Sequence, residues 1–226
     1  MTREASTVSS TRLRQTAAAV ALAALALTGC SANEAGSASI VGDQSVTVAQ
    51  VADVAAEVQA QVATVNGATF DEKSATIASL TSQTRHLILQ AVAAKEGITV
   101  TQGQIDAFVK NIVDGQFGGK RQALLDNLAS QSNIPASRLE AAAADQLVYD
   151  ALLTKIAPAA ATAEEKSKAF TDYMTAFVPE LGVAVAPRFG TWNVFALGPV
   201  PDDLSVAPAP IGDGSGRPVT LPNPAG

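Results

Sequence analysis

Cysteine, histidine and tryptophan occur once each in the 226 residues, and aromatic side chains make up only 4% of the chain. A single cysteine forbids an internal disulfide framework and any cysteine-based zinc site. A single histidine leaves no imidazole pair for a metal and little room for a Ser-His-Asp triad. Basic residues are also short, 15 Lys+Arg against 21 Asp+Glu with a pI near 4.7, which argues against a nucleic-acid partner. No metal and no cofactor are expected. Large apolar residues are scarcer than the 47% hydrophobic content suggests, because 45 residues are alanine. The length suits one domain, or one domain with tails.

What is present begins with an address. Arg3, Arg12 and Arg14 precede an unbroken apolar run from Ala17 to Leu27, close to the core of a secretory signal and well short of the ~20 residues that span a bilayer. The run ends in Leu27-Thr28-Gly29-Cys30, which resembles the lipobox of bacterial lipoproteins. That resemblance implies cleavage before Cys30, a diacylglyceryl group on its thiol and acylation of the new amino terminus. Residues 1–29 are then a lipoprotein signal peptide and 30–37 a tether. Two or more acyl chains anchor a protein stably, so the expected location is the extracytoplasmic face of the cell membrane. Removing the signal takes away three Arg and one Glu, and the more acidic body is repelled by an anionic bilayer.

The body reads as mainly α. Ile40, Val41 and Val46 around Gly42-Asp43 suggest a short strand and turn. Five hydroxyl residues then stand three positions before a Gln or Glu, each ahead of an amphipathic run: Thr47/Gln50, Thr69/Glu72, Thr101/Gln104, Ser137/Glu140 and Thr162/Glu165. One such capping box is weak evidence, but five in register with helical periodicity define a helical domain. The first helix carries Val48, Val51, Val58 and Val62 and stops at Asn66-Gly67. The second passes through Ile77, Leu80, Leu87 and Ala91 to Gly97, and the third runs from Thr101 to about Gly115. Leu124, Leu125 and Leu128 mark a short helix, Leu139 to Ile156 another, and Phe170, Tyr173, Met174, Phe177 and Leu181 the last. Beyond it, Val183 to Phe195 suggest an extended segment returning beside Ile40. The helical domain thus spans 38–196. Residues 197–226, with seven of the eleven prolines, are expected to form a disordered tail, so truncation at Gly198 should leave the thermal midpoint nearly unchanged.

Little of this chain carries chemistry. His86 lies mid-helix beside Arg85 with no acid at helical spacing, which favours a structural or surface role. Gly115 to Lys120 superficially resembles a phosphate loop, but Asp114 replaces its first glycine, Arg121 its Ser/Thr, and a helix precedes it. Glu164 and Glu165 sit in a first helical turn, where the macrodipole favours acids. No nucleophile has a base beside it, and no catalytic residue is assigned.

Three ordered stretches resemble the helical chaperone domain of SurA-like and PrsA-like secretion foldases. They are Ile40 to Val51, Lys95 to Ile105 with its Gly97-Ile98-Thr99-Val100-Thr101 link, and Leu128 to Ile156 with Ile134-Pro135 ahead of Ser137-Arg138-Leu139-Glu140. The resemblance covers roughly residues 38 to 195. It implies a helical domain closed by a strand pairing near its two ends, with Arg188-Phe189-Gly190-Thr191-Trp192 as the returning piece. It also implies a membrane-anchored extracytoplasmic chaperone that binds unfolded or nascent secreted polypeptides. Such foldases usually insert a prolyl isomerase domain with paired histidines; here only Ala157 to Ala161 separate the last two helices. A non-catalytic protein is therefore expected. Candidate client contacts are Phe108, Phe117, Tyr173, Phe177 and Trp192, each with core packing as its alternative. Two other functions compete: an envelope scaffold or adaptor lipoprotein with one specific partner, and a degenerate peptidyl-prolyl isomerase.

Overall fold

A computed structural model describes residues 36–159, 161–193 and 198–200. The signal peptide, the lipobox (Leu27, Thr28, Gly29 and Cys30), most of the tether and residues 201–226 lie outside the described residues.

Three of the five expected capping boxes form. Thr47 opens α1 (Val48–Val62), Thr101 opens α3 (Gln102–Phe117) and Thr162 opens α6 (Ala163–Leu181). In each, the hydroxyl accepts from the backbone N–H three residues on, while that residue's side chain accepts from the cap's own N–H. Two boxes are corrected. Asp71, rather than Thr69, caps α2 (Glu72–Glu96), accepting from the Ser74 N–H at 2.7 Å. A carboxylate at that site gains from the helix dipole as well as the hydrogen bond. Ser137 lies inside a single 3₁₀ turn, Ala136–Arg138, and donates to Glu57 instead, so α5 (Leu139–Ile156) begins without a side-chain cap.

Two helix ends also differ from the sequence reading. α1 stops at Val62, and α3 runs past Gly115 to Phe117 before Gly118 takes a left-handed conformation. Gly115 is therefore a helical residue rather than part of a phosphate loop. α4 (Arg121–Ser132) ends on Asn133 at φ 53°, a left-handed position that Asn tolerates better than most residues.

β1 (Ser37–Val41) and β2 (Gln44–Thr47) form a hairpin, and β3 (Ala184–Val185) pairs antiparallel on the other side of β1, Ser39 opposite Val185 and Ile40 opposite Ala184. The expected pairing near the two ends of the domain is thus present. Its strand is Ala184–Val185, however, and not Arg188 to Trp192: Pro187–Phe189 is a 3₁₀ turn, and β4 (Thr191–Asn193) pairs with β5 (Gly198–Val200). A strand, Gly198–Val200, therefore lies beyond the expected boundary at 196. Gly42, at φ 61°, donates its N–H to the Leu181 carbonyl at 2.7 Å and ties the hairpin to the end of α6.

α2, 25 residues and roughly 37 Å long, is the axis on which the rest assembles. Its C-terminal half supplies Ile88, Leu89 and Val92 to the central core with Val148 and Leu152 of α5 and Phe170, Met174, Phe177 and Val178 of α6. Its N-terminal half packs on α1 through Ala75 and Leu80 against Val51, Ala55, Val58 and Val62. A separate cluster joins α3, α4 and α5 around Ile112, Leu124 and Leu139. The buried face of α2 is unusually polar. Ser79 donates to the Val51 carbonyl at 3.0 Å, Gln83 to the Ser79 hydroxyl at 3.1 Å, and Thr84 shares a 2.6 Å hydrogen bond with Ser39. The Ser79 bond crosses the α1–α2 interface and the Thr84 bond the α2–β1 interface, which fixes register where shape alone is permissive.

Candidate functional site

The α1–α2 pair leaves an apolar groove of about 350 Å³ on one side, within the size range of ligand sites. Its floor is Val51 and Ala55, both buried, and its long wall is Val48, Ala52, Ala56 and Gln59. These positions recur every three to four residues, one stripe of a helix. Alanine at 52, 55 and 56 sets the depth, since nothing beyond a methyl group fills the space. Thr76 and Glu72 of α2 form the facing wall.

Two phenylalanines bound the groove at opposite ends. Phe70 packs with Ala55, Val58 and Val62, and Phe189 packs with Val46, Val51 and Leu80. Both rings are only half-buried. Arg188 is exposed and stacks its guanidinium 4.9 Å above the Phe189 ring, placing a cation at the Val48 end; Glu72 supplies an anion near the other. From Val48 to Gln59 the groove runs about 17 Å, room for roughly five residues of extended chain.

The aromatic residues singled out from sequence lie elsewhere. Phe108 and Phe117 are half-buried against the α3–α4–α5 cluster. Tyr173, Phe177 and Trp192 all pack on the central core. Phe177 is 5% exposed and is a core residue, with Lys95 4.4 Å from its ring centroid. Tyr173 donates its hydroxyl to Glu96 at 2.8 Å, and Lys155 donates to the same carboxylate at 3.0 Å. The Lys155 and Tyr173 hydrogen bonds hold the Glu96 carboxyl below its ordinary range, while burial and the Glu96 bond push the Tyr173 phenol up. Both effects belong to a structural clasp between α2, α5 and α6. The indole N–H of Trp192 is buried without a hydrogen-bond partner.

His86 has a structural partner that helical spacing could not reveal. Its Nδ1 lies 2.6 Å from Asp145 of α5, and the Gln90 amide lies 2.8 Å from its Nε2. With that amide donating, Nδ1 carries the proton and donates to Asp145. Arg85, the neighbouring residue, is 8% exposed and its Nε has no hydrogen-bond partner. Burial pushes its guanidinium below its ordinary range, and the nearby Asp145 charge opposes that fall. Among the described residues, no three acids, histidines or cysteines come together as a metal site.

The groove residues left a faint sequence signal. Ala52 and Ala56 lie beside the valine stripe of α1 and widen it with side chains too small to fill a core; Phe70 stands in a loop and Phe189 ends a 3₁₀ turn.

The described residues thus form a helical domain closed by strands from both ends, with an open apolar furrow. A family model described as the SurA-like N-terminal domain matches residues 8–153. The chain belongs to that family, whose domains are of extracytoplasmic chaperone type. No curated protein and no solved structure matches it. The matched region covers α1 to α4 and most of α5; α5 and α6 are joined directly through Ala157–Thr162, where the foldases usually carry their isomerase domain. No described helix is long and apolar enough to cross a membrane.

Proposed function

We propose that this protein is a lipid-anchored, non-catalytic chaperone that holds short extended apolar segments of unfolded secreted chains in the α1–α2 groove. The observation that carries this reading is the open, apolar groove between Phe70 and Phe189 on a SurA-like body. A furrow of this kind contacts each client side chain weakly and without sequence demands. Several contacts together reach micromolar affinity, about −8 kcal/mol, loose enough for release.

The test is aggregation of an unfolded client followed by light scattering, with the soluble body starting after Cys30. Suppression near stoichiometric amounts is expected for two unrelated clients. Ala52→Glu with Ala56→Glu, both at exposed helical positions, should weaken it at least tenfold and leave the thermal midpoint in place. No suppression at large excess would refute the chaperone reading in favour of a dedicated partner; full activity of the double variant would move the site off the groove.

The anchor has its own test. Cys30→Ser is expected to abolish incorporation of labelled lipid and to leave the precursor uncut, because the thiol is the only sulfur nucleophile at the lipobox. Continued lipid labelling of that variant would overturn the assignment.

A further inference from the structure

The groove opens beside the point at which β5 ends. Arg188 and Phe189 line its Val48 end, and Thr191 then enters β4 directly opposite Val200, the last residue of β5. Antiparallel partners lie about 5 Å apart and two residues span at most about 7 Å. Val200 is therefore within roughly 12 Å of Phe189. The residues that follow it, Pro201-Asp202-Asp203-Leu204-Ser205-Val206-Ala207-Pro208-Ala209-Pro210-Ile211, start out from the groove mouth.

Their order suits what they meet there. The two aspartates come first, where Arg188 is exposed. Leu204, Val206, Pro208, Pro210 and Ile211 come next, where the groove is apolar. Ten residues in the polyproline conformation cover about 31 Å, ample for a groove of about 17 Å. Proline has no N–H to extend the β4–β5 ladder, and proline-rich segments with preset φ lose little entropy on entering aromatic-lined grooves.

We propose that residues 202–211 dock in the α1–α2 groove as an intramolecular competitor that clients must displace. The competition rests on the groove being the client site. A short tether gives an effective concentration in the millimolar range, so a segment of only ~0.1–0.2 mM intrinsic affinity fills the groove five to ten times more often than not.

Two measurements on the full chain in detergent test this separately. The first is disulfide trapping in a Cys30→Ser background, pairing Val206→Cys with Ala52→Cys in the groove or with Ala94→Cys, exposed on α2 outside it. The Ala52 pair is expected to crosslink within one chain at least fivefold faster. The second is binding of a fluorescein-labelled, reduced and carboxymethylated protein, which deletion of Pro201 to Gly226 should strengthen five- to tenfold. Equal crosslinking at both positions, crosslinks only between chains, or client affinity unchanged by the deletion would each overturn the inference while leaving the client reading intact. A fast Ala52 crosslink in a protein that binds no client in either form would uphold the docking and defeat the client reading.

Discussion

Asp145→Ala is expected to destabilise the domain by about 3–5 kcal/mol, the range for stranding a buried charge, and to lower the thermal midpoint by on the order of 10 °C. Asp145 is 7% exposed and faces two groups of α2 at once. It accepts the 2.6 Å hydrogen bond from His86, and its charge offsets the burial of Arg85, whose Nε has no partner of its own. Removing the carboxylate leaves a guanidinium in a low-dielectric site with nothing to balance it, and an imidazole N–H with no acceptor. The reciprocal change, Arg85→Met, should cost less, since Asp145 keeps His86 as its donor. Replacing both at once, Arg85→Met with Asp145→Leu, is expected to recover most of the loss, because a buried ion pair is often no better than apolar packing of the same volume. Denaturant unfolding of the three variants compares these losses directly. A single-variant loss under about 1 kcal/mol would mean that water reaches Arg85 and the charge is not stranded.

That pair shows why the sequence reveals the helices of this protein better than its interior. Capping boxes are local: Thr47, Thr101 and Thr162 each need only a partner three residues away, and each forms as read. At the other two positions a stronger competitor stands nearby. Asp71 outbids Thr69 because its charge adds to its hydrogen bond, and Ser137 turns to Glu57, 80 positions away. The pattern on α2 misled for a different reason. Its inward face carries Ser79, Gln83, Thr84 and Arg85 beside Leu80 and Ile88, whereas Ile77, Leu87 and Ala91 are only half-buried. Periodicity assumes that the core is apolar, and here part of the core is hydrogen-bonded. His86 lacked an acid at i±3 or i±4 because its acid is on another helix. The candidate site was hidden by the same logic. Large aromatics draw attention as client contacts; Phe177 is buried in the central core, and Tyr173 and Trp192 pack half-buried against it. The groove arises where side chains are small, a deficit that becomes a surface only once α1 and α2 are packed together. The SurA-like resemblance was legible because it lies in the order of links and caps, features that survive without any of those long-range contacts.

Truncation at two neighbouring positions should give sharply different stabilities. Removing Gly198 to Gly226 takes away β5, and with it the partner of every residue of β4, Thr191 opposite Val200, Trp192 opposite Pro199 and Asn193 opposite Gly198. Gly198 and Pro199 are buried, and β5 packs on α2 next to the central core that Trp192 helps to cover. One buried apolar side chain contributes about 1.5–3 kcal/mol and each lost ladder bond about 1 kcal/mol. The cut at Gly198 is therefore expected to cost roughly 3–5 kcal/mol and to lower the midpoint by about 6–15 °C. The cut after Val200 keeps the strand and removes only a segment that docks weakly, so the midpoint should move by no more than about 4 °C, the equivalent of ~1 kcal/mol. Differential scanning calorimetry of the two truncations reads the difference directly. Equal midpoints would show that β5 adds nothing and that the domain stops at 196, where composition alone had placed its edge. A large fall from the shorter truncation would instead mean that residues beyond Val200 pack as tightly as core, which is incompatible with a competitor that clients can displace.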